Sequence, residues 1–92
     1  MDAQTIEQQL GELAGWSYTE GMIRKTYTFN NFVEATAWTV HVGFLAEAHG
    51  HHPDIDIRYN RVSLALVTHD AGNQVTQKDL DLARAIEAIG KR

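Results

Sequence analysis

The stretch EAHGHHPDIDIRYNRVSLALVTH, residues 47–69, contains four of the five histidines of the chain and its only proline. From Asp54 to Tyr59 apolar and polar residues alternate, which is typical of a half-buried strand. Asn60-Arg61 is predicted as a tight turn. The apolar face then resumes on a return strand at Val62, Leu64, Leu66 and Thr68. The stretch therefore predicts a β-hairpin flanked by histidines.

The residues at the N-terminal end predict a helix and a first hairpin. Ile6, Leu10 and Leu13 recur at helical spacing, so residues 2–14 are predicted as a short amphipathic helix, capped by Asp2 and closed by Gly15. Residues 16–29 alternate on both sides of Glu20-Gly21. They are predicted as a β-hairpin with its turn at that dipeptide.

A long helix is predicted over residues 31–48. Asn31 and Glu34 resemble a capping box at its start, and Gly50, three residues before Pro53, marks its end. Its apolar residues form two rows: Ala35, Trp38, Val42 and Leu45 in one, and Val33, Ala37, Val40 and Phe44 in the other. One row can pack on a sheet, and the same helix of another copy is the favoured cover for the second. The alternative is a helix buried on both sides within one chain.

A last helix begins near Thr76, where Thr76 and Asp79 form a capping box and Val75 and Leu80 a hydrophobic staple. Its buried side is predicted to carry Leu82, Ala83, Ile86 and Ile89. The element order is then α-β-β-α-β-β-α in one domain spanning residues 1–92. We predict an α+β fold, with a four-stranded antiparallel sheet and three helices packed on one face.

Composition excludes several functions. The net charge of -4 and the pI near 5.6 argue against nucleic-acid binding, which needs a basic surface. The absence of cysteine removes thiolate chemistry and fits a reducing compartment. The sequence contains neither a signal-like start nor a run of membrane-spanning length, so a cytoplasmic location is the default expectation.

The histidines allow three interpretations: a polar loop, a proton-transfer site and a metal site. The metal site is the less favoured use, because the adjacent His51 and His52 point in opposite directions in extended chain. Glu47 and Asp79 are the carboxylates that could orient the imidazole rings. Each also has a simpler interpretation, Glu47 as a solvated residue in a last helical turn and Asp79 as a helix cap. Tyr59 could equally be an ordinary core aromatic.

Taken as one spaced set, these residues resemble the pterin-4a-carbinolamine dehydratase family. The set is Glu47, His51-His52-Pro53, Tyr59, His69 and Asp79, together with the segments Tyr59-Asn60-Arg61-Val62 and Thr68-His69-Asp70. The match is dense from about Phe29 to Ile89. At Asn73-Gln74 the sequence departs from the family, many members of which have a shorter glycine-rich turn there.

The resemblance implies dehydration of 4a-hydroxytetrahydropterin to quinonoid dihydropterin, the recycling step after aromatic amino-acid hydroxylation. It assigns His51 and His69 to the leaving hydroxyl as acid candidates and His52 to the pterin or to the role of base. Glu47 and Asp79 would orient these rings, and Pro53, Tyr59 and Thr68 would contribute to substrate binding. No metal or organic cofactor is implied, since the pterin is the substrate.

The family also implies a second class of function and an assembly. Some members are dimerisation cofactors of a homeodomain transcription factor, and some degenerate relatives are assembly factors without the catalytic histidines. All three motif histidines are present here, which favours an enzyme. We expect a homodimer or homotetramer through helix 31–48, with the sheet edges as a further contact, and no nucleic-acid or membrane partner.

Overall fold

A computed structural model describes residues 1–90 of the chain. Four strands form one antiparallel sheet in the order β1-β2-β4-β3, and three helices accompany it. The elements in chain order are α1 (Ala3–Leu10), β1 (Ser17–Thr19), β2 (Met22–Thr28), α2 (Phe32–His49), β3 (Asp54–Arg58), β4 (Arg61–Leu66), a single 3₁₀ turn (His69–Ala71) and α3 (Gln77–Ile89). The predicted α+β fold and element order are confirmed.

The core lies between one face of the sheet and the helices. Alternate residues of β2 and β4 are buried there with apolar residues of all three helices, because successive strand side chains point to opposite faces: Ile23, Tyr27, Val62, Leu64 and Leu66. On the opposite face the hydroxyls of Thr26 and Ser63 lie 2.8 Å apart across β2 and β4. That face is polar, as the strand alternation predicts.

Helix α2 is capped by Asn31 and Gly50, as predicted, but the Glu34 carboxylate accepts from the N–H of Asn30 at 3.1 Å rather than from that of Asn31, where a capping box would place it. The Asn31 side chain accepts from the backbone N–H of Glu34 at 2.9 Å, and Gly50 closes the helix with a φ of 62°. The buried residues of α2 are Ala35, Trp38, Val42 and Ala46, whereas Val33 and Phe44 are each 74% exposed. Among residues 1–90 of one chain, therefore, only one of the two apolar rows is covered.

The first helix is shorter than predicted. Helix α1 ends at Leu10, with Gly11 as its C-cap, rather than at residue 14. Leu13 is nevertheless buried, because a turn in which its N–H donates to the carbonyl of Leu10 at 2.9 Å returns it to the core. Leu13 therefore keeps the helical spacing of the apolar residues although it lies beyond the end of the helix.

The turn of the second hairpin is also displaced by one residue. Arg58 pairs with Arg61, so the turn residues are Tyr59 and Asn60 rather than Asn60 and Arg61. The Asn60 side chain donates to the carbonyl of Phe29 at 2.9 Å, and the Asn60 carbonyl accepts from the Phe29 N–H at 2.8 Å. These two bonds anchor Asn60 beside the end of β2 and place Tyr59 in the turn, with a φ of 53°.

A polar cluster fastens α3 to the first hairpin. Glu87 Oε2 accepts from Lys25 Nζ at 2.8 Å, from Trp16 Nε1 at 3.2 Å and from the Tyr27 hydroxyl. Burial alone would raise the pKa of Glu87, but the hydrogen bonds from Lys25, Tyr27 and Trp16 outweigh it and lower that pKa. Burial, helped by Glu87, raises the pKa of Tyr27. This cluster explains how Lys25 occupies the otherwise apolar face of β2.

Among residues 1–90, no helix is both long and apolar enough to cross a bilayer.

Candidate active site

The sheet register brings the two histidine segments together. The left-handed Gly50 ends α2, and His51 and His52 follow immediately before β3. Asp54, at the start of β3, pairs with Ala65 near the end of β4, so the chain beyond β4 runs close to the histidine pair. A solvent-open cavity of about 180 Å³ lies between the segments, lined by Gly50, His51, His52, Thr68, His69, Asp70 and Lys78.

His51 is the buried histidine of the site. Its Nε2 lies 2.5 Å from Oδ1 of Asp79, whose side chain is completely buried. A carboxylate can only accept here, so Nε2 of His51 carries the proton and donates it, and Nδ1 is the remaining ring nitrogen. A charge-assisted hydrogen bond of this kind fixes both the tautomer and the orientation of the ring.

Asp79 is held by the N-terminus of α3 and by the segment after β4. Its Oδ2 accepts from the Thr76 backbone N–H at 2.8 Å and from the Thr68 hydroxyl at 2.8 Å. The Thr68 and Thr76 hydroxyls are themselves 2.7 Å apart. Asp79 thus completes the predicted capping box and contacts a histidine with its other oxygen. Asp79 is therefore both a helix-capping residue and a hydrogen-bond partner of His51.

His52 has a carboxylate partner in an exposed setting. Its Nε2 lies 2.8 Å from Glu47 Oε1, and the two side chains are 67% and 79% exposed. In His52, as in His51, the carboxylate bonds to Nε2, and Nδ1 is the ring nitrogen outside this bond. Water screens an exposed pair of this kind, so Glu47 orients His52 more weakly than Asp79 orients His51.

His69 lies beyond the end of β4, exposed, as the sequence predicts. It opens the 3₁₀ turn His69–Ala71, and its Nδ1 lies 2.7 Å from the side-chain oxygen of Asn73. The three motif histidines therefore line one cavity, two of them bonded to carboxylates and one to a neutral amide. Sequence reasoning missed Asp70 and Lys78 in the lining and Asn73 behind it. The only signals in the sequence were the motif segment Thr68-His69-Asp70 and the loop at Asn73, which departs from the family pattern.

The structure separates Tyr59 from this group. Tyr59 lies in the turn at the far end of β3, 67% exposed, whereas Pro53 precedes the near end of the same strand. Thr68 lines the cavity, but its hydroxyl donates to Asp79. The predicted contribution of Tyr59 to substrate binding is therefore not met by the cavity of a single chain.

A larger depression of about 320 Å³ lies on the open face of the sheet, beside Arg24, Asp54, Asp56 and Ser63. It contains no histidine and none of the predicted site residues. In residues 1–90, no three side chains of histidine, aspartate or glutamate are grouped so that they could hold a metal ion.

The fold and the cavity define a class of protein: a small α+β domain in which three hydrogen-bonded histidines line one cavity. Residues 1–89 match the family model described as pterin 4 alpha carbinolamine dehydratase, and the chain belongs to that family. A relative from Roseiflexus sp. (strain RS-1), provisionally named pterin-4-alpha-carbinolamine dehydratase, is 56% identical over 84 residues, which cover 91% of this chain and 89% of the relative. A relative from Sulfolobus acidocaldarius with the same provisional name is 42% identical over 97% of each chain.

Two solved structures share the fold. The crystal structure of a transcriptional coactivator/pterin dehydratase from Brucella melitensis has a TM-score of 0.89 and 31% identity, covering 97% of this chain and 96% of that one. A pterin dehydratase-like protein identified as a RuBisCO assembly factor in the alpha-carboxysome has a TM-score of 0.65 and 19% identity, covering 84% of this chain and 89% of that one. The latter likeness shows the fold alone.

Proposed function

We propose that the protein dehydrates 4a-hydroxytetrahydropterin to quinonoid dihydropterin, in the recycling of the pterin after aromatic amino-acid hydroxylation. Membership of the family supports the reaction. The observation that carries the proposal is His51, which is bonded to the buried Asp79 and lines the same cavity as His69. Perturbed or tightly partnered titratable groups around one cavity are the usual signature of acid/base catalysis.

The reaction requires two proton movements. The bond between carbon 4a and the hydroxyl oxygen breaks, the oxygen takes a proton and leaves as water, and one proton leaves the ring system as the new double bond forms. Electrons for the new bond come from the pterin itself, so no oxidant or reductant is needed. A positioned imidazole can give or take each proton near neutral pH.

The three histidines divide this work in our proposal. His51 and His69 lie at the leaving hydroxyl as acid candidates, and His52 binds the pterin or accepts the ring proton. Asp79 positions His51, and Glu47 positions His52. Because His51 is buried and His52 is exposed, the two adjacent rings meet different parts of the substrate.

The exposed row of α2 supports an oligomer as the working form. Val33, Val40 and Phe44 are 74%, 54% and 74% exposed, and a row of large apolar side chains of this kind is typical of an interface. The cavity of one chain, about 180 Å³, is smaller than the roughly 300 Å³ at which ligand pockets begin. We propose that helix α2 of a second copy covers this row and that assembly supplies further walls for the substrate.

The test is a dehydratase assay with 4a-hydroxytetrahydropterin, following formation of the quinonoid product by absorbance. The wild-type protein should accelerate the spontaneous dehydration, and the His51, His52 and His69 triple alanine variant should not. His49→Ala is the matched control, because His49 is an exposed histidine of the same segment outside the cavity lining. A triple variant with full activity, or a wild type without any, would remove the enzyme and leave the binding role as the better account.

A further inference from the structure

Asn73 bonds to one of the histidines of the proposed catalytic cavity. Its side-chain oxygen lies 2.7 Å from Nδ1 of His69. A carbonyl oxygen of an amide can only accept, so Nδ1 of His69 carries a proton, and in the neutral ring Nε2 carries the lone pair. No other hydrogen bond to the ring of His69 is found among residues 1–90.

The backbone around Asn73 holds this contact in place. Asn73 has a φ of 59°, in the left-handed region that asparagine tolerates better than most other non-glycine residues. Its N–H and that of Gly72 both turn back toward the carbonyl of His69, at 3.4 and 3.1 Å. The backbone of Gln74 then pairs with that of Thr68. The loop therefore folds back on His69 and brings the amide of Asn73 to the imidazole.

The tautomer of His69 is opposite to that of the other two histidines. His51 and His52 donate through Nε2 to Asp79 and Glu47, which leaves Nδ1. His69 donates through Nδ1, which leaves Nε2. Its partner is also a neutral amide, whereas theirs are carboxylates. In the neutral ring the lone pair on Nε2 can take a proton, and the imidazolium so formed can give that proton to the leaving hydroxyl.

We propose that Asn73 is a positioning residue that keeps His69 in the Nδ1–H tautomer and presents Nε2 to the substrate. Asn73 does not contact the reacting atoms in this role and acts through His69 alone. The proposal concerns the tautomer in the free protein, and its consequence for turnover rests on the dehydratase function proposed above.

Three variants separate the side chain from the backbone. Asn73→Gly keeps a residue that adopts positive φ readily and removes the amide. Asn73→Asp keeps an oxygen acceptor of the same shape. Gln74→Ala is the matched control, because Gln74 is an exposed neighbour whose backbone, rather than side chain, bonds to Thr68. Circular dichroism checks that each variant is folded.

The first readout is the ¹⁵N chemical shifts of the His69 ring, which report the tautomer without any substrate. Wild type, Asn73→Asp and Gln74→Ala should show the Nδ1–H form, and Asn73→Gly should lose that preference. A wild-type ring protonated on Nε2, or the same tautomer population in Asn73→Gly as in wild type, overturns the proposal.

The second readout is turnover. Asn73→Gly should lower kcat by about 2- to 10-fold, the factor that one neutral hydrogen bond is worth, with little change in KM. Asn73→Asp should retain more activity than Asn73→Gly. A loss of kcat without a change of tautomer would indicate a loop effect and count against the proposal. A wild type without dehydratase activity would refute the proposed function alone, since the ¹⁵N readout stands independently.

Discussion

His51 and Asp79 are 28 residues apart in the chain, yet His51 Nε2 lies 2.5 Å from the fully buried Oδ1 of Asp79. The other oxygen of the same carboxylate caps α3 through the N–H of Thr76. One buried carboxylate therefore links the start of α3 to the end of α2. The stability of that junction and the orientation of His51 depend on the same group.

Asp79→Asn should lower kcat by an amount no larger than the loss in His51→Ala. An amide keeps one acceptor oxygen and replaces the other by NH₂, so it cannot accept from His51 on one side and from Thr68 and Thr76 on the other. If its oxygen keeps the helix cap, the ring of His51 must turn or change tautomer. If Asp79 acts only through His51, adding Asp79→Asn to His51→Ala should not lower kcat further. Asp81→Asn, on an exposed residue of the same helix, is the control. A double variant well below His51→Ala would give Asp79 a role of its own.

His51→Ala and His69→Ala should each lower kcat partially, and the double variant should fall close to the spontaneous rate. The reason is that a positioned acid or base contributes about 10²- to 10⁴-fold, and the two rings are alternative acids for one oxygen. His52→Ala should raise KM more than it lowers kcat if that ring holds the pterin. Steady-state kinetics of these histidine variants measures kcat and KM. Equal losses of kcat in His49→Ala and His51→Ala would contradict the assignment of His51 as a catalytic acid.

Treatment with a chelator followed by dialysis should leave the dehydratase activity unchanged. Two acid/base groups suffice for loss of water from the pterin. Activity before and after treatment is compared at equal protein concentration. An activity that is lost and then restored by zinc would revive the metal interpretation of the histidine cluster.

Phe44→Glu should dissociate the proposed oligomer, because it places a carboxylate in the middle of the exposed apolar row of α2. Burying an unpaired charge costs several kcal/mol or more, which is comparable to the free energy of a weak association. Light scattering on a sizing column measures the mass. Gln8→Glu, which adds the same charge on an exposed residue of α1, should leave the mass unchanged. If the wild type is monomeric at micromolar concentration, the proposed oligomer does not form. If the Phe44→Glu protein keeps the wild-type mass, the interface lies elsewhere.

Glu87→Gln should destabilise the fold by about 1–3 kcal/mol at neutral pH, because the charge-assisted bonds from Lys25, Tyr27 and Trp16 are weakened. The folded state lowers the pKa of Glu87, so its contribution is complete above the ordinary glutamate range and is lost as pH falls through the folded value. The difference in unfolding free energy between wild type and variant should therefore shrink in acid.

Denaturant titrations at several pH values measure that difference. Glu12→Gln is the control, since the Glu12 side chain is 75% exposed and its pairing with Arg84 is at 3.5 Å. An exposed pair of this kind contributes at most about 1 kcal/mol. A Glu87→Gln effect that grew as the pH was lowered would contradict the role given to the carboxylate.

Local features of the fold followed closely from the sequence. The caps at Asn31, Gly50 and Thr76 and the turn at Glu20-Gly21 lie where the sequence places them, because each depends on hydrogen bonds within a few residues. The errors lie at the ends of elements. Helix α1 ended four residues early, and the second hairpin turned one residue early because Asn60 is anchored to Phe29, 31 residues away.

The sequence by itself determined the order of elements, the face of each strand and the spaced set of histidines and carboxylates that marks the family. Only the tertiary structure decided which row of α2 is covered, that Asp79 serves His51, that Tyr59 lies apart, and which nitrogen of each histidine is free. Local patterns are set by backbone geometry and by neighbours one turn away. Contacts between the end of α2, the segment after β4 and the start of α3 depend instead on how the helices pack on the sheet, which no short stretch of sequence specifies.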